Sequence, residues 1–156
     1  MFMKFIFLDI DGVLNNSKTH DDRKSPVLLD ARNMKNLQRI VQITDAKIVL
    51  VSSYKDSWVK FTYSGQGIIG RFLVMTFAKY GLSIFDKTES TELFAGRGVG
   101  VKKYIKEHET ESFVIIDDSS SDYDKEGLID YWVRPSGEKG GLTKELAKKA
   151  IGIISK

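Results

Sequence analysis

Two acidic side chains near the start of the chain have a type and spacing that could do chemistry. Asp9 and Asp11 are one residue apart, follow the almost wholly apolar run Lys4 to Leu8, and are followed directly by Gly12. A strand end usually carries at most one turn-forming Asp, and two carboxylates this close repel each other unless something compensates. The pattern therefore indicates a site that handles charge.

Further polar side chains follow two other apolar runs. The runs KIVLV and FVII end in Ser52 and Ser53 and in Asp117 and Asp118, respectively. Carboxylates that converge in a cleft need a cation, and hard oxygen ligands select Mg²⁺ or Ca²⁺. Few ligands, with room for water and phosphate, favour Mg²⁺. We therefore expect a Mg²⁺ site if these run ends meet.

The elements that must position these side chains alternate between strands and helices. Apolar runs predict strands over 4–8, 47–51, 82–85, 113–116 and 129–133, the last at a sheet edge. Amphipathic spacing predicts helices over 31–43, 67–80 and 98–108, and from about 143 to 154. Asp30 and Thr143 are the expected N-caps, and Gly81 is expected to close the second helix.

Strands separated by helices predict an α/β fold, a three-layer α/β/α parallel sheet of the Rossmann-like type, in a single domain over residues 1–156. Ligands of such sheets bind beyond the carboxyl ends of the strands, near the point where strand order reverses. The first, second and fourth strands would bring their acids and hydroxyls to that edge.

Composition narrows the class of protein. The 156 residues are 42% hydrophobic and 29% charged, which fits a soluble globular domain with its own core. No apolar run approaches the roughly 20 residues of a membrane span, so no membrane partner is expected. The lack of cysteine excludes disulfides, thiolate metal sites and a cysteine nucleophile, and predicts a cytoplasmic location. The net charge of +3 is a mild lean towards anionic substrates, and no obligate protein partner is evident.

The motifs together resemble those of the haloacid-dehalogenase-like (HAD) hydrolases. FLDIDGVLN is similar to the first motif of that family, IVLVSS to the second and VIIDDSSSD to the fourth, and they occur in the family's order. The chain is most similar to small members with hardly any cap, some of which are joined to RNA-repair modules. The resemblance implies a HAD-like fold with a minimal cap, and a Mg²⁺-dependent phosphatase that acts through an aspartyl-phosphate.

The resemblance also implies roles for the acids. Asp9 would be the nucleophile, and Asp11 the general acid and then the general base. The metal would be held by Asp9, by the main-chain carbonyl of Asp11 and by Asp118. Asp117 and Asp122 would support it through water or through Lys and Arg contacts, although Asp117 and Asp118 could exchange roles.

Other site residues follow from the remaining motifs. Ser52 would hydrogen-bond the transferring phosphoryl oxygen, with Ser53 as the register alternative. The third motif of the family is a Lys or Arg at a helix start, and Arg97 fits it best, with a nearby Lys as the alternative. Gly12 would let the chain turn behind the acids and border the substrate. Lys55 would either face the substrate or be a solvated turn lysine.

The leading hypothesis is a phosphomonoester hydrolase with an open site, because the stretches 12–29 and 53–81 are too short for a full cap domain. An open site favours a nucleotide or nucleic-acid phosphate end, or a loosely selected small phosphate. A catalytically degenerate HAD-like binding or regulatory module is the alternative. A response-regulator receiver also gathers acids at strand ends, but it would carry its acidic pair on the first strand and its acceptor Asp on the third. Here the D-x-D comes first and two further acids come late in the chain, so the order does not fit a receiver.

Overall fold

A parallel β-sheet with helices on both faces forms the centre of the molecule. The computed structural model describes residues 1–19, 25–60, 67–89 and 96–156. Within these ranges the strands are β1 (Met3–Leu8), β2 (Lys47–Leu50), β3 (Ile84–Lys87), β4 (Thr110–Ile116) and β5 (Trp132–Val133), and the α-helices are α1 (Ala31–Thr44), α2 (Ile68–Lys79), α3 (Arg97–Glu107) and α4 (Lys144–Ile154). Single-turn 3-10 helices lie at Ser53–Ser57, Ile129–Tyr131 and Gly137–Lys139. The predicted α/β class is confirmed.

The order of the strands creates a crevice beside β1. The strands described are arranged β3-β2-β1-β4-β5, and all their pairings are parallel. The chain runs outward from β1 to β3 and then crosses back to β4 on the other side of β1. The strand order therefore reverses between β1 and β4, which is where an open parallel sheet binds its ligand.

The side chains of β1 alternate between two cores. Ile6 and Leu8 lie in the core formed with α1, α2 and α4, whereas Phe5 and Phe7 lie in the core that contains residues of α3. All four are fully buried, and burial of each contributes about 2 kcal/mol to the stability of the fold. The apolar run of the sequence thus reflects a strand that is covered on both faces.

Two predicted strands are shifted or shortened, and β4 begins at Thr110, three residues before the predicted start at 113. The strand expected at 82–85 begins at Ile84, because the backbone N–H of Leu82 still donates to the Phe77 carbonyl of α2 at 2.9 Å. The strand expected at 129–133 shrinks to Trp132 and Val133, because a 3-10 turn occupies Ile129–Tyr131. Asp30, Gly81 and Thr143 end or begin their helices as predicted.

The loop after β1 is fixed by the segment that precedes α4. The backbone N–H of Leu142 donates to the Val13 carbonyl at 2.8 Å, and that of Ser17 donates to the Gly137 carbonyl at 2.9 Å. Gly141 has φ +66°, and a Cβ there would lie 2.8 Å from the Val13 carbonyl oxygen. Only glycine suits this position, since both the dihedral angle and the close approach exclude a side chain.

The two stretches that are too short for a full cap domain, 12–29 and 53–81, are only partly described. Residues 20–24 of the first and 61–66 of the second lie outside the described residues. The described part of the second contains the 3-10 helix Ser53–Ser57 and all of α2. Among the helices of the described ranges, none is long and apolar enough to cross a membrane.

Candidate active site

Three carboxylates meet where two neighbouring strands end. Asp9 follows β1, and Asp117 and Asp118 follow β4. The backbone N–H of Asp9 donates to the Ile116 carbonyl at 2.9 Å, so the strands stay in register up to the site. One oxygen of each of the three carboxylates lies within 4.8 Å of the others. We call these three residues the acid cluster.

Asp117 is held by a full set of hydrogen-bond donors. It is 0% exposed. Its two carboxylate oxygens accept from Arg97 Nη1 at 2.9 and 2.8 Å, from the Ser119 N–H at 2.9 Å and from the Tyr123 hydroxyl at 2.6 Å. Burial and the charge of Asp117 raise the pKa of Tyr123 far above its usual value, which keeps this hydroxyl a donor. Few lone pairs of Asp117 are left for a metal ion.

Arg97 brings positive charge to the acid cluster. It is the first residue of α3, and its Nη1 lies 2.8 Å from Asp117 and 3.4 Å from Asp9. Among the candidates for the third motif, Arg97 is therefore the cation that the structure brings to the acids. A guanidinium in this place can stabilise negative charge that develops on a bound phosphoryl group.

The start of α3 is shaped to receive Asp122. The carboxylate of Asp122 accepts from the backbone N–H groups of Gly98 at 2.6 Å and Val99 at 3.3 Å. A Cβ on Gly96 would lie 2.2 Å from the Asp122 carboxylate carbon, so this glycine makes room for the contact. Asp122 was expected to support the metal through water or basic side chains. It instead caps α3 and thereby fixes the backbone that carries Arg97.

Asp9 is buried among acids with too little compensating charge. It is 4% exposed. Burial raises the pKa of Asp9 to about 8, helped by the charge of Asp117 and by a hydrogen bond with Asp118, while Arg97 opposes the shift. A divalent cation bound here would offset the negative charge of the three carboxylates and would favour the ionised form of Asp9. The hard oxygen atoms of the acid cluster therefore fit a Mg²⁺ ion.

Gly12 makes room for Asp118. Its φ is +77°, and a Cβ at this position would lie 2.2 Å from Asp118 Oδ2. Both features exclude a larger residue, because the carboxylate occupies the space that a side chain would need. Gly12 was predicted to turn the chain and to border the substrate. The structure gives it the first task and adds a second, close contact with a carboxylate of the acid cluster.

Ser52 reaches the same edge from β2. The residue before it, Val51, donates its N–H to the Leu8 carbonyl at 3.0 Å, which carries the β1–β2 pairing to the site. Ser52 is 1% exposed, and its hydroxyl oxygen accepts from the Tyr54 N–H at 3.0 Å. Ser53 is exposed at the start of the 3-10 helix. Of the two serines considered for the phosphoryl contact, the buried Ser52 therefore has the more defined side-chain orientation.

Comparison with known protein families agrees with this geometry. The family model described as the HAD domain in Swiss Army Knife RNA repair proteins matches residues 5–147, which is most of the chain. The chain belongs to this family. No curated protein matches it.

In this HAD domain, Asp11 lies apart from the acid cluster. Its side chain is exposed at the turn after β1, where Oδ1 accepts from Asn15 Nδ2 at 3.1 Å and from the Tyr54 hydroxyl at 3.4 Å. The Asp11 carboxylate is not part of the acid cluster. The exposed Asp11 carboxylate is therefore accessible to a ligand.

Lys55 lies near the residues that follow the end of β3. Its Nζ is 3.5 Å from Thr88 Oγ1 and 3.4 Å from the Glu89 carbonyl. Burial lowers the pKa of Lys55, and the positive charges of Arg97 and Lys87 contribute to the shift. The Lys55 side chain is thus half-buried, and the charge of Arg97 affects its pKa. A fully solvated turn lysine would show neither feature.

Sequence reasoning missed three polar residues around the acids. Asn15 and Tyr54 contact Asp11, and Tyr123 contacts Asp117. Asn15 lies four residues after Asp11 in the same turn, so its spacing could have indicated the contact. Nothing in the sequence marks Tyr54 or Tyr123, because their contacts depend on how separate elements pack.

Proposed function

We propose that this HAD domain is a Mg²⁺-dependent phosphomonoester hydrolase that uses Asp9 as its nucleophile. One observation carries the proposal. Asp9 is buried at the point where strand order reverses, with Arg97 Nη1 at 3.4 Å and one oxygen of each of Asp117 and Asp118 within 4.8 Å of its own carboxylate. This grouping of a candidate nucleophile, a cation and possible metal ligands supports a site for a phosphoryl group.

The residues of the site divide into those that would hold the metal and those that support it. Asp9, Asp118 and the main-chain carbonyl of Asp11 would hold Mg²⁺, which supplies charge neutralisation for the phosphoryl oxygens when bound. Asp117 belongs with the support, since Arg97, Ser119 and Tyr123 already use its oxygens. In this assignment Asp118 rather than Asp117 is the direct ligand.

The chemistry balances with the residues present. An oxygen of Asp9 attacks phosphorus as the bond to the leaving oxygen breaks, and the leaving oxygen takes a proton from Asp11. Water then attacks the aspartyl-phosphate and gives its proton back to Asp11, which releases inorganic phosphate and restores Asp9. Arg97 and the Ser52 hydroxyl would contact the phosphoryl oxygens during both steps.

For the substrate, we propose bordering residues and a chemical class rather than one compound. Gly12, Ser53 and Lys55 would border the substrate, with Lys55 supplying a second positive charge. We propose a nucleotide or nucleic-acid phosphate end as the substrate class. The description of the matching family, which names RNA repair proteins, supports this choice, as does a cleft without a cap domain in the described residues. We also propose that residues 1–156 act as one domain and that the protein works in the cytoplasm.

The decisive test is hydrolysis of p-nitrophenyl phosphate with and without Mg²⁺ by the wild type and by Asp9→Asn. We expect the variant to lose at least about 1,000-fold in kcat, because the nucleophile is gone. Asp45→Asn is the matched control, since Asp45 has a side chain that is 96% exposed and Asn tolerates its left-handed backbone. Retention of most activity by Asp9→Asn would exclude the covalent mechanism.

Metal binding has a readout that does not need turnover. Mg²⁺ should raise the thermal unfolding temperature of the wild type, and Mg²⁺ with beryllium fluoride should raise it further, because both bind only the folded site. Asp118→Asn should lose the Mg²⁺-dependent part of the shift. Absence of both the shift and turnover in the wild type would favour a degenerate binding module instead.

A further inference from the structure

Asp11 has an asymmetric set of hydrogen bonds that the proposed chemistry does not explain by itself. Its Oδ1 accepts from Asn15 Nδ2 at 3.1 Å and from the Tyr54 hydroxyl at 3.4 Å. Its Oδ2 accepts from no residue in the described part of the chain. The two donors come from different elements, the turn after β1 and the 3-10 helix after β2.

Asn15 is itself rigidly held. Its Oδ1 accepts from the Gly12 N–H at 2.9 Å, and its Nδ2 also donates to the Leu28 carbonyl at 2.8 Å. One amide side chain therefore connects the turn behind the acids, the Asp11 carboxylate and the chain just before α1. An amide fixed at both ends restricts the rotamer of the carboxylate that it contacts.

A cavity of about 370 Å³ lies against Asp11, and Asn15 and Tyr54 also line it, together with Pro26 and Leu28. A general acid must be within hydrogen-bond reach of the leaving oxygen. A leaving group that receives a proton from Asp11 must therefore occupy space beside Asp11. This cavity provides such a space, and its volume falls within the range of small-molecule sites, which is about 300–1,000 Å³.

We infer that Asn15 and Tyr54 are positioning residues that hold Asp11 by Oδ1 at the wall of the leaving-group cavity, so that Oδ2 carries the proton. This inference rests on the proposed function, and it adds which oxygen acts and what orients it. The proton on Oδ2 passes to the leaving oxygen as the phosphorus–oxygen bond breaks. In the second step, Oδ2 takes a proton from the attacking water.

The test compares two esters with the same ring and different need for a proton. p-Nitrophenolate leaves readily without protonation, whereas the phenolate of phenyl phosphate depends more on a general acid. Tyr54→Phe removes only the hydroxyl that contacts Asp11. Asn15→Ala removes the closer donor and two further hydrogen bonds. Tyr131→Phe is the control, since Tyr131 is 41% exposed and lies in the 3-10 helix before β5.

We expect Tyr54→Phe and Asn15→Ala to lower kcat/KM for phenyl phosphate by about 10-fold or more, as a misplaced catalytic group does. The same variants should lower kcat/KM for p-nitrophenyl phosphate far less. Equal losses for the two esters, or no loss for either, would overturn the inference, because a merely structural role does not distinguish leaving groups. Tyr54→Phe keeps the test valid if Asn15→Ala unfolds.

Failure of this inference differs from failure of the proposed function. If the wild type turns over both esters and Asp9→Asn does not, the phosphatase stands whatever Asn15 and Tyr54 do. If the wild type turns over neither ester, the proposed function and the inference both fall.

Discussion

At the scale of single residues, Arg97 links the acids that follow the ends of β1 and β4. One nitrogen, Nη1, lies 2.8 Å from Asp117 and 3.4 Å from Asp9. Asp117 is fully buried, so its charge depends on these partners rather than on water. Because the contacts come from a single nitrogen rather than from a two-nitrogen fork, a lysine ammonium can supply the same charge to the acids.

We predict that Arg97→Ala lowers both activity and stability, whereas Arg97→Lys keeps most of the stability. Removal of one partner from a buried ion pair costs about 3 kcal/mol, because the remaining charge is left uncompensated. Urea unfolding of the two variants, alongside kcat with p-nitrophenyl phosphate, measures the difference. If Arg97→Ala were as stable as Arg97→Lys, the charge of Arg97 would not be needed to keep Asp117 buried.

Tyr123 gives a second prediction at this scale. Its hydroxyl donates to Asp117 Oδ2 at 2.6 Å in a fully buried place. Tyr123→Phe should lower the free energy of unfolding by about 1–3 kcal/mol, since it leaves a buried carboxylate with one donor fewer. Tyr131→Phe, on an exposed ring, should change it by less than about 0.5 kcal/mol. Similar values for the two variants would contradict the support role given to Tyr123.

At the scale of elements, α3 depends on glycine for its position. The Gly96 backbone has φ −79° and ψ 174°, which any residue can adopt. The constraint is space, since the Asp122 carboxylate fills the volume of a side chain there. The glycines around Arg97 therefore serve the approach of a carboxylate to a helix start. They do not form a loop that binds a dinucleotide.

We predict that Gly96→Ala costs about 1–3 kcal/mol of stability and also lowers kcat, because overpacking shifts the helix start that carries Arg97. Gly67→Ala is the matched control. Gly67 is also an N-cap with φ −73°, and a Cβ there would meet no atom of the described residues within 4 Å. Gly67→Ala should cost no more than about 1 kcal/mol, which is the preference of an N-cap position for glycine over alanine. A benign Gly96→Ala would mean that Asp122 can move without loss.

At the scale of the whole molecule, hydrogen bonds between residues far apart in sequence join α1, the loop after β1 and the segment before α4. Asn33 of α1 is 2% exposed. It donates to the Gly140 carbonyl at 2.8 Å and to the Leu142 carbonyl at 3.1 Å, and it accepts from Asn16 at 3.0 Å. The segment before α4 and the loop after β1 are thus joined through one buried amide.

We predict that Asn33→Ala lowers the free energy of unfolding by about 1–3 kcal/mol, because it leaves the Gly140 carbonyl and the Asn16 amide without this partner and the Leu142 carbonyl with one donor fewer. Asn36→Ala is the control. Asn36 also donates to the Leu142 carbonyl, at 2.9 Å, but it is only partly buried, so its loss should cost less than about 1 kcal/mol. Denaturant unfolding of both variants gives the comparison. A larger effect for Asn36→Ala would show that the connection lies elsewhere.

The sequence by itself determined the class of fold and the edge of the sheet that carries the acids. Short apolar runs such as those of β1 and β4 are typical of strands covered on both faces, and polar residues at the carboxyl ends of parallel strands share one edge. Asp9, Ser52, Asp117 and Asp118 could be placed there because strand period and chain order are local properties. The short β5 was less predictable, since its pairing competes with a 3-10 turn.

Only the tertiary structure decided which partners each acid contacts. Asp117 and Asp118 are neighbours with equal chemistry, and the packing of α3 and Tyr123 against Asp117 distinguishes them. The task of Asp122 and the contacts of Asn15 and Tyr54 with Asp11 likewise depend on distances between elements. Such distances are set by side-chain packing across the whole core, which no local spacing in the sequence encodes.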